Sequence, residues 1–226
     1  MTNPYYVSPE QVMKDRADYA RKGIARGRSL VALEYAGGIV MVAENPSRTL
    51  HKISEIYDRI AFAGVGKYNE FQMLRDAGVR LADQKGYAYS RIDVVANELA
   101  NTYAQSLGQV FTNEMKPFEV EVLVAQIGLG SKPNEMFHVL YDGTVMDESK
   151  YCVLGGNAPE IEAKLETGFV KDMTLKDAIK LGAKSLRLDD DKEVDPGSLE
   201  VGYLDGAKKR RCFTRMNKSD LESIFA

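Results

Sequence analysis

The sequence predicts an α+β fold, a four-layer αββα sandwich in which two stacked sheets carry a pair of helices on each outer face. Three observations predict it. Two nearly continuous apolar runs flank a Gly-Gly pair within residues 29–44, which indicates a hairpin buried on both faces. Two consecutive amphipathic helices follow at residues 67–84 and 90–110, and after a group of strands a second pair follows at residues 157–188. This order fits a single domain of 226 residues.

An additional helix precedes the sandwich, at residues 8–27. Ser8 is its expected N-cap, a proline takes the first helical position, and Gln11 reaches back to complete a capping box. The apolar side chains that follow recur with a helical period and form one stripe: Val12, Met13, Ala17, Ala20 and Ile24. Residues 1–7 show no such period and form an N-terminal tail, and residues 28–226 form the sandwich.

Periodicity and turn residues place the remaining elements of the sandwich. A strand at residues 59–65 leads into the first helix of the first pair, which Gly86 ends, and Ser90 opens the second helix through another capping box. Four strands follow, at residues 118–127, 137–141, 144–146 and 151–154. After the second helix pair, a final hairpin at residues 199–204 and 212–216 precedes a short C-terminal helix.

Charge and hydropathy exclude several classes of function. Lys and Arg total 30 against 33 Asp and Glu, and a net charge of −3 gives no general attraction for nucleic acid. The basic run at residues 208–211 follows an Asp-Gly turn and is expected to be a solvated hairpin tip. No apolar stretch approaches the ~18 residues of a membrane helix, and the N-terminus lacks the pattern of a signal peptide. These features indicate a soluble, cytoplasmic protein with no nucleic-acid or membrane partner.

The potential metal ligands are few and scattered. Cys152 and Cys212 are too few for a disulfide framework, which is typical of a reducing compartment, and both are expected in the core. His51 and His138 are distant in sequence from each other and from both cysteines, which gives no metal-ligand spacing. The acidic stretch at residues 189–191 lacks the spaced ligands of a calcium loop. No metal site and no cofactor is therefore predicted.

Four segments, together with the order of elements, carry a resemblance that covers essentially the whole chain. They read Ser-Pro-Glu-Gln at residues 8–11 with Tyr-Ala-Arg-Lys-Gly at 19–23, Val-Ala-Glu-Asn at 42–45, Lys-Ile-Ser-Glu-Ile-Tyr-Asp at 52–58 and Gly-Lys-Tyr-Asn-Glu-Phe at 66–71. They resemble the α-type subunits of the proteasome family in actinobacteria. The resemblance implies the fold of N-terminal-nucleophile hydrolases with an extra N-terminal helix. It also implies a homo-heptameric outer ring, stacked on β-type subunits, that restricts entry to a central chamber.

The resemblance bears directly on catalysis. In the β-type subunits of that family, a threonine that becomes the first residue of the first strand is the nucleophile. Here Arg28 stands at that place, and a permanently protonated guanidinium offers no nucleophilic lone pair. No catalytic residue is therefore expected. Two alternatives stay open: cleavage before Ser29 would give an active N-terminal-nucleophile hydrolase, and a solitary binding module would form no ring.

The resemblance also implies a pocket between neighbouring α-type subunits, which receives the C-terminal tails of ring-shaped ATPases or other activators. Lys52 then meets the terminal carboxylate of the tail. Gly66 lines the same pocket, because a residue without Cβ allows close approach of the tail. The alternative for Lys52 is a surface ion pair with Glu55.

Two further sets of residues follow from the resemblance. The tail is expected to form the gate when seven copies converge on the ring axis, with simple disorder as the alternative. Its gating residues are Pro4, Tyr5 and Tyr6. The apolar stripe of the first helix is expected to dock on a neighbouring subunit, although packing on the chain's own domain would produce the same stripe. The expected ring contacts are Val12, Met13, Ala17 and Ala20.

Overall fold

The structure is a computed structural model, and it describes residues 7–47, 49–187 and 194–225. Within these residues the chain forms six α-helices: α1 (Pro9–Ala25), α2 (Tyr68–Ala88), α3 (Ala96–Asn113), α4 (Ala158–Gly168), α5 (Leu175–Ser185) and α6 (Lys218–Phe225). The same residues form ten strands: β1 (Leu30–Tyr35), β2 (Gly38–Glu44), β3 (Ile53–Tyr57), β4 (Ile60–Gly66), β5 (Val120–Gln126), β6 (Glu135–Val139), β7 (Val145–Glu148), β8 (Tyr151–Leu154), β9 (Leu199–Asp205) and β10 (Phe213–Arg215). None of the described helices is both long enough and apolar enough to cross a lipid bilayer.

The strands form two stacked antiparallel sheets. The first has the order β10-β9-β2-β1-β8, and the second has the order β3-β4-β5-β6-β7. Helices α4 and α5 pack on the outer face of the first sheet, and α2 and α3 pack on the outer face of the second. This arrangement confirms the predicted four-layer sandwich. A sheet with a helix pair on one face and a second sheet on the other is buried on both sides, as the continuous apolar runs of β1 and β2 require.

The interior consists of three apolar layers, one between the sheets and one beneath each helix pair. The layer between the sheets includes the fully buried Leu30, Met41, Ile53, Leu123 and Leu154. Burying one such side chain contributes about 1.5–3 kcal/mol. Both cysteines are also buried and free, as predicted.

Helix α2 continues past Gly86, the residue that was expected to end it. A Cβ added at Gly86 would lie 1.9 Å from the hydroxyl oxygen of Tyr57. The glycine therefore lets the tyrosine pack directly against the helix backbone. The prediction was wrong because a glycine can provide close packing as well as a helix stop.

Ser90 opens only a single 3₁₀ turn, Arg91–Asp93, and not the long helix that was expected. Helix α3 begins later, at Ala96, whose backbone N–H donates to the side-chain oxygen of Gln126 at 2.6 Å. A residue of β5 thus provides the acceptor for a backbone N–H in the first turn of α3. A cap supplied from another element leaves no trace in the local sequence, which explains the misplaced helix start.

Helix α1 begins as predicted, with the Ser8 hydroxyl accepting the backbone N–H of Gln11 at 3.2 Å. The Gln11 side chain does not reach back to the cap, because it donates to Asp15 at 2.7 Å. The helix lies across the chain's own domain. The Arg16 guanidinium donates to the carbonyl of Phe111 at 2.6 Å, near the C-terminus of α3, where helix carbonyls need donors.

Candidate functional site

Lys52 lies just before β3, and its side chain reaches the segment that joins α1 to β1. The ammonium Nζ donates to the backbone carbonyl of Arg28 at 2.6 Å. Glu55, the alternative partner, has its carboxylate 3.9 Å from the guanidinium of Arg211. Across residues 7–47, 49–187 and 194–225, no carboxylate forms a salt bridge with Lys52. A neutral oxygen therefore holds the ammonium, which keeps donors to spare.

The surroundings of Lys52 disfavour its positive charge. Burial is the largest cause and lowers the pKa of Lys52 to about 8. The Glu200 carboxylate opposes this shift, while the nearby guanidinium of Arg28 adds to it. At pH 7 about nine-tenths of the molecules still carry the ammonium. The side chain is thus a charged group that is partly removed from water and, in the described part of the chain, forms no direct salt bridge with a carboxylate.

Glu200, on β9, fixes the backbone that presents Lys52. One of its carboxylate oxygens accepts the N–H of Lys52 at 2.9 Å, and the other accepts the N–H of Ile53 at 3.2 Å. Asn45 donates at 2.7 Å, and the Arg215 guanidinium completes the set. Glu200 is only 7% exposed. Sequence reasoning missed this residue, although a carboxylate between the apolar Leu199 and Val201 is a signal that could have revealed it.

Gly66 ends β4 with a φ of +99°, in the region that favours glycine. A Cβ added there would lie 1.9 Å from the carbonyl oxygen of Glu119. Gly27 packs on the same backbone, since a Cβ added at Gly27 would lie 3.3 Å from the Gly66 nitrogen. The next residue, Arg28, accepts the hydrogen bond from Lys52. The structure therefore brings Lys52 and Gly66 to one short segment, residues 27–28.

We expect Gly66→Ala to lower the free energy of unfolding by about 2–4 kcal/mol, because the positive φ and the clash with the Glu119 carbonyl both act against alanine. Gly130→Ala is the matched control. Gly130 has a φ of +66°, but no atom of the described residues lies within 4 Å of the added Cβ, so we expect a cost of only about 1 kcal/mol. Urea unfolding measures both variants. Equal losses would contradict a close-packing role for Gly66.

Arg28 and Ser29 stand at the head of β1. The Arg28 guanidinium forms an ion pair with Glu44 on the neighbouring strand. Ser29 is 8% exposed, and its hydroxyl packs so closely on Gly155 that a Cβ added there would lie 2.8 Å from the Ser29 oxygen. These two residues therefore have structural contacts, and the Ser29 hydroxyl is packed within the fold.

The apolar stripe of α1 divides between the chain's own core and solvent. Ala20 and Ile24 are buried in the layer between the sheets, and Ala17 packs against that layer. Val12 is half-buried, and Met13 is 38% exposed. The N-terminal half of the helix is thus the part of the stripe that remains open to a neighbour. Periodicity alone could not separate these two halves.

The basic run at residues 208–211 lies at the turn between β9 and β10, as predicted. It is not entirely solvated. The Arg210 guanidinium lies 3.5 Å from the carboxylate of Asp58, which Arg91 also binds through two hydrogen bonds of 2.8 and 2.9 Å. Hydrogen bonding from Arg91 is the largest cause that lowers the pKa of Asp58. Part of the basic run therefore contacts carboxylates of the chain itself.

A second polar cluster lies at the edge of the sandwich, and it contradicts the expectation that histidine and cysteine stay apart. Strands β6 and β8 bring His138 and Cys152 together, and Glu148 of β7 joins them. One ligand atom from each of the three lies within 4.8 Å of the other two. Distance in sequence was a poor guide because β6 and β7 pair in the second sheet, while Cys152 approaches them from β8 of the first sheet. The acidic stretch at 189–191 lies outside the described residues.

Comparisons with known proteins agree with this fold. Residues 24–204 match the family described as Proteasome, proteasome subunit. A relative from Acidimicrobium ferrooxidans described as "Proteasome subunit alpha" is 54% identical over 98% of this chain and 95% of its own length. Relatives with the same description come from Kineococcus radiotolerans, at 51% identity over 100% and 99%, and from Mycobacterium avium, at 47% identity over 99% and 91%. The chain therefore belongs to the proteasome subunit family, among its α-type members.

Proposed function

We propose that the chain forms the heptameric outer ring of a proteasome core particle in the cytoplasm, where it restricts substrate entry and receives activators. The β-type subunits supply the proteolytic sites. The chain is non-catalytic, because Arg28 stands at the head of the first strand and offers no nucleophile. Ser29 follows it but is packed on Gly155, which disfavours the alternative of a hydrolase that uses Ser29.

The observation that carries this proposal is the ammonium of Lys52, which is partly buried and bonded to a neutral carbonyl. The C-terminus of a partner chain supplies a carboxylate in direct contact with this group. A charge-assisted hydrogen bond in a partly desolvated pocket is stronger than an exposed ion pair. We therefore assign Lys52 and Gly66 to the pocket for activator tails, with the neighbouring subunit as its other wall.

Binding of a tail to Lys52 is expected to depend on pH. Because the pKa of Lys52 is about 8, raising the pH from 7 to 9 lowers the protonated fraction from about nine-tenths to about one-tenth. The affinity for a tail peptide should therefore fall about tenfold. Fluorescence titrations of the assembled particle with such a peptide measure this. Lys52→Arg is the control, since a guanidinium stays protonated and its affinity should stay flat over this range. An equal fall in the variant would exclude Lys52 as the titrating group.

Ring assembly is assigned to the open half of α1. We infer that Val12 and Met13 contact the neighbouring copy, with Ala17 at the margin, because they are the stripe residues with exposed surface. Ala20 supports that contact from beneath, since it anchors the helix in the chain's own core. The buried C-terminal half of α1 thus fixes the helix on its own domain, and the N-terminal half presents apolar side chains to the neighbouring copy.

The gate is assigned to residues 1–7, with Pro4, Tyr5 and Tyr6 as its contacts; those three residues lie outside the described part of the chain. We expect deletion of residues 1–7 to raise peptide hydrolysis by the assembled particle severalfold without an activator, because seven tails no longer obstruct the axis. A fluorogenic peptide measures this. Particles already opened by an activator are the control and should gain little. Unchanged basal turnover would contradict the gate.

The proposal as a whole is tested by co-expression with a candidate β subunit, followed by imaging and intact mass measurement. We expect stacked seven-membered rings, with this chain retaining α1. The chain purified alone should not hydrolyse peptides. Steady turnover by the chain alone that a threonine-directed inhibitor blocks would overturn the proposal, as would a mature species that begins at Ser29. Persistent monomers in the presence of β subunits would also contradict it.

A further inference from the structure

The cluster of His138, Glu148 and Cys152 contains three different kinds of metal ligand. The Nδ1 atom of His138 lies 3.8 Å from the carboxylate of Glu148, and the Cys152 sulfur completes the group within 4.8 Å. A tetrahedral zinc ion with bonds of about 2.0–2.3 Å holds its ligand atoms roughly 3.3–3.8 Å apart. The three atoms would thus have to approach by at most about 1.5 Å to close on an ion.

The other side of the His138 ring has the partner that a metal-bound histidine requires. Its Nε2 is buried and, within the described residues, makes no hydrogen bond. The carboxylate of Glu121, on β5, lies 3.5 Å from that nitrogen. Metal-binding histidines usually donate the proton of the second ring nitrogen to a carboxylate, which fixes the ring and its tautomer. Glu121 is in place to accept it, and it is itself held by the N–H of Gly155 at 3.1 Å.

Burial and charge suit a soft divalent ion. His138 is 6% exposed and Cys152 is 2% exposed, whereas the Glu148 side chain is 28% exposed. Glu148 therefore provides an entry path and room for a water as the fourth ligand. Burial raises the pKa of the Cys152 thiol, so without a metal the sulfur is protonated. Burial opposes charge on His138, but the nearby Cys152, Glu121 and Glu148 side chains outweigh it and raise the pKa of the imidazole.

We propose that His138, Glu148 and Cys152 form a binding site for a divalent cation with affinity for sulfur, Zn²⁺ above all, with Glu121 as the residue that positions His138. The proton balance is simple. The imidazolium and the thiol each release one proton to solvent as one Zn²⁺ enters, so the net charge of the cluster does not change. The ion joins the two sheets, since Cys152 lies on β8 of the first sheet and the other residues lie on the second.

The first test uses Co²⁺ as a spectroscopic probe on the metal-free, full-length chain. We expect one equivalent to produce a thiolate-to-cobalt charge-transfer band, and one equivalent of Zn²⁺ to abolish it. Cys152→Ser should lose the band. Cys212→Ser is the matched control and should keep it, because Cys212 is equally buried but belongs to no such cluster in the described residues. Glu121→Gln should keep the band with an affinity about 10- to 100-fold lower.

A second measurement covers the case in which Cys152→Ser fails to fold. Glu148→Gln changes a half-exposed side chain, so it should fold and bind Co²⁺ far more weakly. Zn²⁺ at a hundredfold excess over its Kd should raise the unfolding temperature of the wild type by about 5–10 °C and leave Glu148→Gln nearly unchanged. No band in the wild type, or a band that survives Cys152→Ser or disappears in Cys212→Ser, would overturn the proposal. In that case the cluster is an internal ion pair of protonated His138.

Discussion

Lys52→Ala is expected to weaken the binding of a tail peptide to the assembled particle about 10- to 150-fold, the value of a hydrogen bond to a charged group. The fold should be little affected. The lost bond joins the ammonium to the Arg28 carbonyl, while the backbone of Lys52 remains held by Glu200. Removing a partly desolvated charge also offsets part of that loss. Peptide titrations at pH 7 measure the effect, and circular dichroism checks the fold.

Amidation of the peptide's C-terminus sharpens this experiment. In the wild type, amidation removes the carboxylate that Lys52 contacts and should weaken binding by a similar factor. In Lys52→Ala the same amidation should make little difference, because the partner is already absent. An undiminished cost of amidation in the variant would show that the carboxylate binds elsewhere. Lys176→Ala, a lysine at the start of α5, is the control for a general loss of positive charge.

Glu200→Ala is expected to lower the free energy of unfolding by about 3–5 kcal/mol, which corresponds to a fall of about 6–20 °C in Tm. The buried carboxylate accepts the backbone N–H groups of Lys52 and Ile53, and it pairs with the Arg215 guanidinium. Its removal takes the acceptor from two backbone donors and the carboxylate partner from the guanidinium, which keeps its bond to the Ile53 carbonyl. Because the backbone that presents Lys52 loses its anchor, tail binding should weaken as well.

Glu44→Ala is the matched control for Glu200→Ala. Glu44 lies on β2, beside Leu199 of β9, and also pairs with an arginine, Arg28. That pair is exposed, with 49% of the Arg28 side chain and 43% of the Glu44 side chain accessible, so its loss should cost no more than about 1 kcal/mol. Thermal unfolding of both variants decides the matter. Similar losses of unfolding free energy in the two variants would show that the buried contacts of Glu200 add no more stability than an exposed ion pair.

Much of the fold could be predicted because its signals are local. The apolar runs of β1 and β2 and the Ser8 cap of α1 depend on neighbouring residues alone, and the structure confirms them. Strand β3 was not predicted. It lies at the edge of its sheet, and a register shift between Glu55 and Tyr57 breaks the alternation that identifies a strand. The cap of α3 escaped prediction because Gln126 supplies it from another strand.

The candidate site could be predicted only in part. The resemblance pointed to Lys52 and Gly66, and the structure brings both to the segment after α1. Glu200 meets Lys52 through a contact between segments that are far apart in the sequence, and the His138 cluster combines strands of two different sheets. Periodicity says which face of a strand is buried, but it does not say which buried groups meet across two sheets. Such networks become visible only when the register of every strand is known.

The ammonium of Lys52 has a consequence for the isolated subunit. Burial disfavours the ammonium that the Arg28 carbonyl holds, so the protonated side chain carries a desolvation cost in the free chain. Selection for function tolerates such a defect when association relieves it. Under the proposed assignment, the carboxylate of an activator tail offsets that cost, so docking stabilises the subunit as well as attaching its partner.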